Sequence, residues 1–354
     1  MSLNVPQEGD IGYGNTPPGS TYGPTTEKTI HFQKFLTLAD QHPSLVTYEV
    51  VGRSSHPDQW DKVIFKIGNP NGGVVFWDCC IHGNEEMFTE TMYVIMQWLL
   101  TPNTNTAQET RRQRILSKNL VIFFPFVLWR FSRMNYNYPA NPCPATVGCP
   151  NRTDTNGDLQ LWAINLARDF HRGHESSCIS PSETDPKKIS DNYAPLDEYI
   201  TQYETQALVE AWSRYNERPT GWFYVNLHMG TTSKSGRGPR APQVESLRSS
   251  VYTELFGGTK RWNISTSTDT PSFAPGEAVA YYDADGGWLI EGGGWTRPDK
   301  VNDFRSGTTY NEMLSLLVAQ CELVEVSEPP PPTYPLTTES EPVSGIPYTR
   351  RKLE

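Results

Sequence analysis

Residues 74–85 read Val-Val-Phe-Trp-Asp-Cys-Cys-Ile-His-Gly-Asn-Glu, and the fold follows from how this stretch is parsed. Val74 to Trp77 is an apolar run of the length of a buried strand. It leads through Ile81 into His82-Gly83-Asn84-Glu85, and an amphipathic helix follows from about Glu86 to Leu100. The same alternation extends in both directions. Upstream, a helical pattern over Glu27 to Asp40 stops at His42-Pro43, and strands are predicted over Val46–Val51 and Val63–Ile67. Downstream come a helix near Gln108–Ser117, a buried strand at Leu120–Phe124, a helix over Leu196–Tyr215, and a strand Trp222–Leu227 that ends at His228. A strand Trp288–Ile290 ends at Glu291, and a helix near Asn311–Leu323 closes the globular part. Strands alternating with helices predict a single α/β domain with a central mixed, largely parallel sheet flanked by helices. In such sheets ligands bind beyond the carboxyl ends of the strands, where His82, Glu85, His228 and Glu291 fall. A metal site is therefore expected at those ends. The domain spans about 20–326, after an irregular leader at 1–19 and before a Pro-rich tail at 327–354 that reads as polyproline-like or disordered.

Composition narrows the classes. Hydrophobic residues are 36% of the 354, enough for a substantial core, and charged residues are 20%, below the level typical of disorder. The net charge of −10 lacks the basic field that phosphate backbones require, so nucleic acid is excluded as the main partner. The longest apolar run, Leu120 to Trp129, has ten residues and contains Pro125, whereas a transmembrane helix needs about 20. The N-terminus has no basic n-region and no apolar h-region, so it is not a signal peptide. Two sequons, at Asn151 and Asn263, and loop cysteines lean toward secretion, with any native leader absent from this sequence. Cys79 and Cys80 lie in the apolar strand and read as core. Cys143, Cys149 and Cys178 lie in the long polar segment from Asn135 to Asn192, where a disulfide can form in an oxidising compartment. The pattern leaves oligomeric state open.

His82 and Glu85 form an H-x-x-E pair on a strand exit, so both can reach one metal ion. A third ligand from another strand end would leave a position for water, as catalytic zinc requires. His171, His174 and Glu175 form a rival group in the polar segment. Asp154-Thr-Asn-Gly-Asp158 resembles the start of a calcium loop, but the required glycine and terminal Glu are misplaced, and a plain turn is the alternative to Ca²⁺. Lys234 to Arg240 carries Lys234, Arg237 and Arg240 among Gly and Ser. It reads as a solvated mobile loop, with steering of an anionic substrate as the alternative. There is no G-x-S-x-G, Walker loop or H-E-x-x-H.

Taken in order, several segments resemble the zinc metallocarboxypeptidases of the carboxypeptidase A superfamily. They are Val51-Gly-Arg-Ser54, Ile81-His-Gly-Asn-Glu85, Trp129-Arg-Phe-Ser-Arg133 and Asn165-Leu-Ala-Arg-Asp-Phe170, then Tyr203-Glu-Thr-Gln-Ala207, Asn226-Leu-His228 and Leu289-Ile-Glu291. The resemblance covers about residues 20–325. It implies that His82, Glu85 and His228 bind one zinc ion, the set known for carboxypeptidase A, a worked example of this ligand class. It further implies Glu291 as general base, Arg133 as oxyanion stabiliser and Arg168 as partner of a substrate carboxylate, with Tyr281 or Tyr282 capping a peptide substrate. Two positions depart from the family pattern. Ala167 replaces the Asn that usually shares the terminal carboxylate with Arg168, and Asn165 replaces the Asp that accepts from a zinc-bound His. The leading expectation is a zinc carboxypeptidase. The alternatives are a zinc amidohydrolase acting on a modified peptide, motivated by Ala167, and a binding module without turnover.

Overall fold

The apolar runs become neighbouring strands of one sheet, and the helical patterns cover its two faces. The computed structural model describes residues 3–5, 32–54, 60–81, 87–127, 203–215, 222–230, 234–268, 286–293 and 300–326, together with two short hairpins at 152–153/159–160 and 339–343/346–350. In chain order, the first elements are α1 (Phe32–Gln41), β1 (Val46–Arg53), β2 (Asp61–Gly68), β3 (Gly73–Cys79), α2 (Met87–Leu100), α3 (Thr106–Lys118) and β4 (Asn119–Phe124). The hairpin β5 (Arg152–Thr153) and β6 (Leu159–Gln160) precedes α4 (Tyr203–Ser213), β7 (Trp222–Gly230), β8 (Lys234–Arg237), α5 (Ala241–Phe256) and β9 (Ser265–Ser267). β10 (Gly286–Gly293), α6 (Lys300–Ser306) and α7 (Thr308–Val326) follow, then β11 (Glu339–Val343) and β12 (Ile346–Arg350).

The main sheet has the order β1-β2-β4-β3-β7-β10-β8-β9. The pairings β4/β3, β3/β7 and β7/β10 at its centre are parallel, as is β8/β9. The pairs β1/β2, β2/β4 and β10/β8 are antiparallel, so the sheet is mixed with a parallel middle. Central parallel strands are buried on both sides, which is why β3 reads as an unbroken apolar run rather than an alternation. On one face Val75, Trp77 and Cys79 join the helices α1, α2, α3, α5 and α7 in the larger core. On the other, Val74 and Phe76 pack with Ala207, Leu208, Ala211 and Trp212 of α4. At Gly73, an added Cβ would lie 1.7 Å from Val324 Cγ1, so α7 can close onto β3 only because that position lacks a side chain.

Several expectations change. Asn105 accepts hydrogen bonds from the backbone amides of Ala107 and Gln108, so α3 starts at Thr106, earlier than apolar spacing suggests. Lys234–Arg237, expected as a solvated loop, is strand β8, because the backbone of β10 supplies its hydrogen bonds. α5 follows at once, with proline in its first turn and Gly257 closing it in the left-handed region at φ 70°. Within the polar middle segment, β5 and β6 pair around 154–158, and the tail expected to be irregular contains the antiparallel pair β11/β12. Near the N-terminus the Asn4 amide donates to Asp61 Oδ2 (2.8 Å) and its carbonyl accepts from the Asp61 amide (2.7 Å). Residues 3–5 of the expected irregular leader are thus tied to β2.

Candidate active site

β7 alternates. Phe223, Val225 and Leu227 enter the larger core, so Tyr224, Asn226 and His228 must face the other way. β10 lies beside it in parallel with Glu291 paired to His228. Adjacent strands are about 4.8 Å apart and paired residues share a face, so the histidine and the carboxylate stand side by side at the carboxyl edge of the sheet. β3 completes this edge: Asp78 pairs with Asn226 and Cys79 with Leu227.

Behind His228 runs a buried polar file. Tyr224 Oη and Asn226 Nδ2 both donate to Asp78, and Asn226 Oδ1 meets His228 Nε2. Because the Asn226 amide nitrogen is committed to the carboxylate, its oxygen faces the imidazole and can only accept. In the tautomer this acceptor favours, the proton sits on Nε2 and the lone pair on Nδ1. Asp78 is fully buried, and its pKa is pushed up to about 7. Desolvation is the main cause, opposed by the hydrogen bonds from Tyr224 and Asn226 and by the attraction of His228.

The strand exit is itself constrained. Cys80 adopts φ 61°, in the left-handed region that side chains other than glycine seldom occupy. Such strain costs roughly 1–3 kcal/mol and persists where its surroundings over-determine it. Cys79 and Cys80 are both buried thiols outside any disulfide, as expected of core residues. Nearby, Lys62 of β2 is completely buried and feels the carboxylate of Glu204 in α4. Burial pushes the Lys62 pKa down to about 7, and attraction to Glu204 and Cys80 opposes that.

Of the residues singled out from sequence, the structure brings together His228 and Glu291. His82, Glu85, Arg133, Arg168, Tyr281 and Tyr282 lie outside the described residues, as do Asn165, Ala167, the His171/His174/Glu175 group, the stretch 154–158 and the three loop cysteines. Nothing in the described structure supports Ca²⁺. Sequence reading missed Asp78 and Asn226. The available signal was a carboxylate inside the apolar run from Val74 to Ile81, which burial makes costly unless polar partners meet it. Among the described residues the fit to zinc can be judged from His228: a buried imidazole whose Nε2 is met by the Asn226 oxygen turns its Nδ1 to a metal, as a zinc ligand requires.

Residues 33–235 match the sequence model of the zinc carboxypeptidase family, Peptidase_M14. The match takes in more than half of the chain, and the chain belongs to that family. By family it is a metallocarboxypeptidase, a hydrolase of peptide bonds. Among solved structures it is similar to carboxypeptidase A from Helicoverpa armigera, at 13% identity and TM-score 0.57, covering 83% of this chain and 74% of that one. It is also similar to bovine thrombin-activatable fibrinolysis inhibitor, solved in complex with tick carboxypeptidase inhibitor, at 14% identity and TM-score 0.56, covering 84% and 97%. At such identities the likeness is one of fold. No curated protein matches the chain by sequence. No described helix is long and apolar enough to cross a membrane.

Proposed function

We propose that the chain is a zinc-dependent carboxypeptidase in which His82, Glu85 and His228 hold one metal ion and Glu291 is the general base. The observation that carries this reading is the pairing of Glu291 with His228, since a base acting on water at a metal must stand next to a ligand of that metal. Zinc bound there supplies Lewis acidity toward a peptide carbonyl and lowers the pKa of water. Glu291 takes the proton from the attacking water and passes it to the leaving amine. Asn226 and Asp78 hold the His228 ring in one orientation while this happens. Arg133 offers its charge to the oxygen that becomes anionic, and Arg168 pairs with a carboxylate of the substrate. Tyr281 or Tyr282 covers the bound peptide.

Ala167 favours one second reading, an amidohydrolase acting on modified peptides that does not need a free terminal carboxylate. Metal analysis of the purified chain, followed by hydrolysis of blocked dipeptides with free and amidated C-termini, decides between them. The carboxypeptidase reading expects one zinc per chain and turnover of the free-carboxylate peptide alone. Turnover of both peptides favours the amidohydrolase, and absence of both zinc and turnover overturns the two readings together.

A further inference from the structure

The strand that sequence reading took for a loop runs beside Glu291 and places its side chains in two directions. Gly236 shows which is which: a Cβ there would lie 2.2 Å from Trp288 Nε1, and Trp288 belongs to the larger core. Lys234 leaves β8 on that same side. Its ammonium lies 4.7 Å from the centroid of the Trp262 ring, and Glu291 and Glu312 attract it from beyond ion-pairing distance. Ser235 and Arg237 therefore lie on the opposite face, with Leu289 and Glu291.

The register gives that face its layout. His228 pairs with Glu291, Asn226 with Leu289 and Ser235, and Tyr224 with Gly287 and Arg237. Ser265 and Ser267 of β9 extend the last two rows outward. The described residues flanking Arg237 on this face are thus Gly287, Ser235 and serines, none of which carries a large side chain. Leu289, Ser235 and Arg237 are only partly buried, whereas the same face is sealed by α4 farther toward β2. Arg237 pairs opposite Gly287, four positions before Glu291, which is about 13 Å along the strand, and it sits one strand over, about 4.8 Å. The side chains of Glu291 and Arg237 reaching toward each other leave a gap of about one amino-acid residue, ~3.5 Å per residue when extended.

We propose that Arg237 is a specificity-determining residue that binds the acidic side chain of the C-terminal residue of the substrate, making peptides ending in Glu or Asp the preferred class. The proposal rests on the carboxypeptidase reading above. A planar guanidinium at that depth pairs with a carboxylate in bidentate fashion, and neither an amide nor an apolar side chain replaces that contact. The partner is the side-chain carboxylate rather than the terminal one, because Arg237 lies down the strand from the reacting centre by the reach of a side chain.

The test uses the full chain loaded with zinc and blocked dipeptides ending in Glu, Gln or Phe. The native protein should prefer Glu over Gln by at least tenfold in kcat/KM. Arg237→Met should abolish that preference mainly through KM, Arg237→Lys should restore part of it, and Arg237→Glu should shift preference toward peptides ending in Lys. A native protein that does not prefer Glu, or an Arg237→Met variant that lowers Glu and Gln peptides equally, overturns the proposal. If no peptide is hydrolysed, the carboxypeptidase reading fails, and Arg237 is judged by calorimetric binding of N-acetylglutamate against N-acetylglutamine. At least tenfold tighter binding of the diacid, lost in Arg237→Met, sustains the proposal, and equal binding overturns it. Arg237→Lys keeps the charge on the strand and serves in both assays if the Met variant does not fold.

Discussion

Two buried polar groups flank the carboxyl edge of the sheet, and they are built differently. On the face of Glu291, the file Tyr224–Asp78–Asn226–His228 comes from two adjacent strands and holds one carboxylate among neutral donors. On the opposite face, Arg248 of α5 is gripped by Glu245 at 2.7 and 2.9 Å and by Glu312 of α7, and donates to the Trp262 carbonyl at 2.7 Å. Glu312 also accepts from the backbone amides of Arg261 and, at 3.0 Å, Trp262. The second cluster is closed: charge meets charge, and each end of the Trp262 peptide is pinned. Trp262 in turn lies where a side chain on Gly292 would have to go, with its ring 2.9 Å from that Cβ position. The first group differs: among the described residues no lysine or arginine pairs with its carboxylate, and its last member is an imidazole at the sheet edge. A charge-balanced cluster holds a strand in place, whereas a carboxylate among neutral donors orients the imidazole at the end of the file.

If that contrast is right, the variants should fail in different assays. Glu291→Gln removes the base but no ligand, so turnover should fall by about 10²–10⁴-fold while zinc content, read by metal analysis, stays at the native level. Near-normal turnover with zinc retained would break the mechanism. Glu312→Gln removes one of the two carboxylates that hold Arg248 and should cost about 1–3 kcal/mol in urea unfolding. A loss under about 1 kcal/mol would show that the cluster does not support the strand. Asn226→Ala releases the His228 ring and should weaken zinc by about 10–100-fold in chelator competition. An unchanged affinity would assign the file to folding alone.

The shallowest expected effect at any single pH step is a slope from Lys62, spread over about three units. Its folded pKa of about 7 lies below its value in the unfolded chain, so above pH 7 the unfolded chain binds the extra proton. Stability should therefore rise as pH climbs from 7 toward 10, by up to about 1.4 kcal/mol per unit. The double variant Lys62→Met with Glu204→Met removes the pair together and should lose that rise. Parallel stability–pH curves for the two proteins would contradict the assignment.

Much of this architecture was legible before any coordinates. The apolar runs at Val74, Leu120 and Trp222 become central strands because burial on both faces demands apolar residues at every position, and that leaves a plain signature. His228 and Glu291 were legible for a related reason, since each is a polar residue directly after such a run. β8 was not legible: Lys-Ser-Gly-Arg has no strand propensity, and its hydrogen bonds come from β10, which lies some fifty residues away in the chain. α5 was missed because its apolar positions, Val244, Val251 and Leu255, are few and are interrupted by the buried Arg248.

The sequence by itself determined the order of elements, the strand ends where the candidate site residues fall and the family motifs, all of which are local patterns of burial and residue type. Only the tertiary structure decided that Glu291 pairs with His228, that Asp78 and Asn226 orient that histidine, and that Arg237 shares the face of Glu291 while Lys234 does not. Those facts depend on strand order and on a register with period two. A shift of one residue would send every side chain to the other face, and that register is set by packing between segments far apart in the chain.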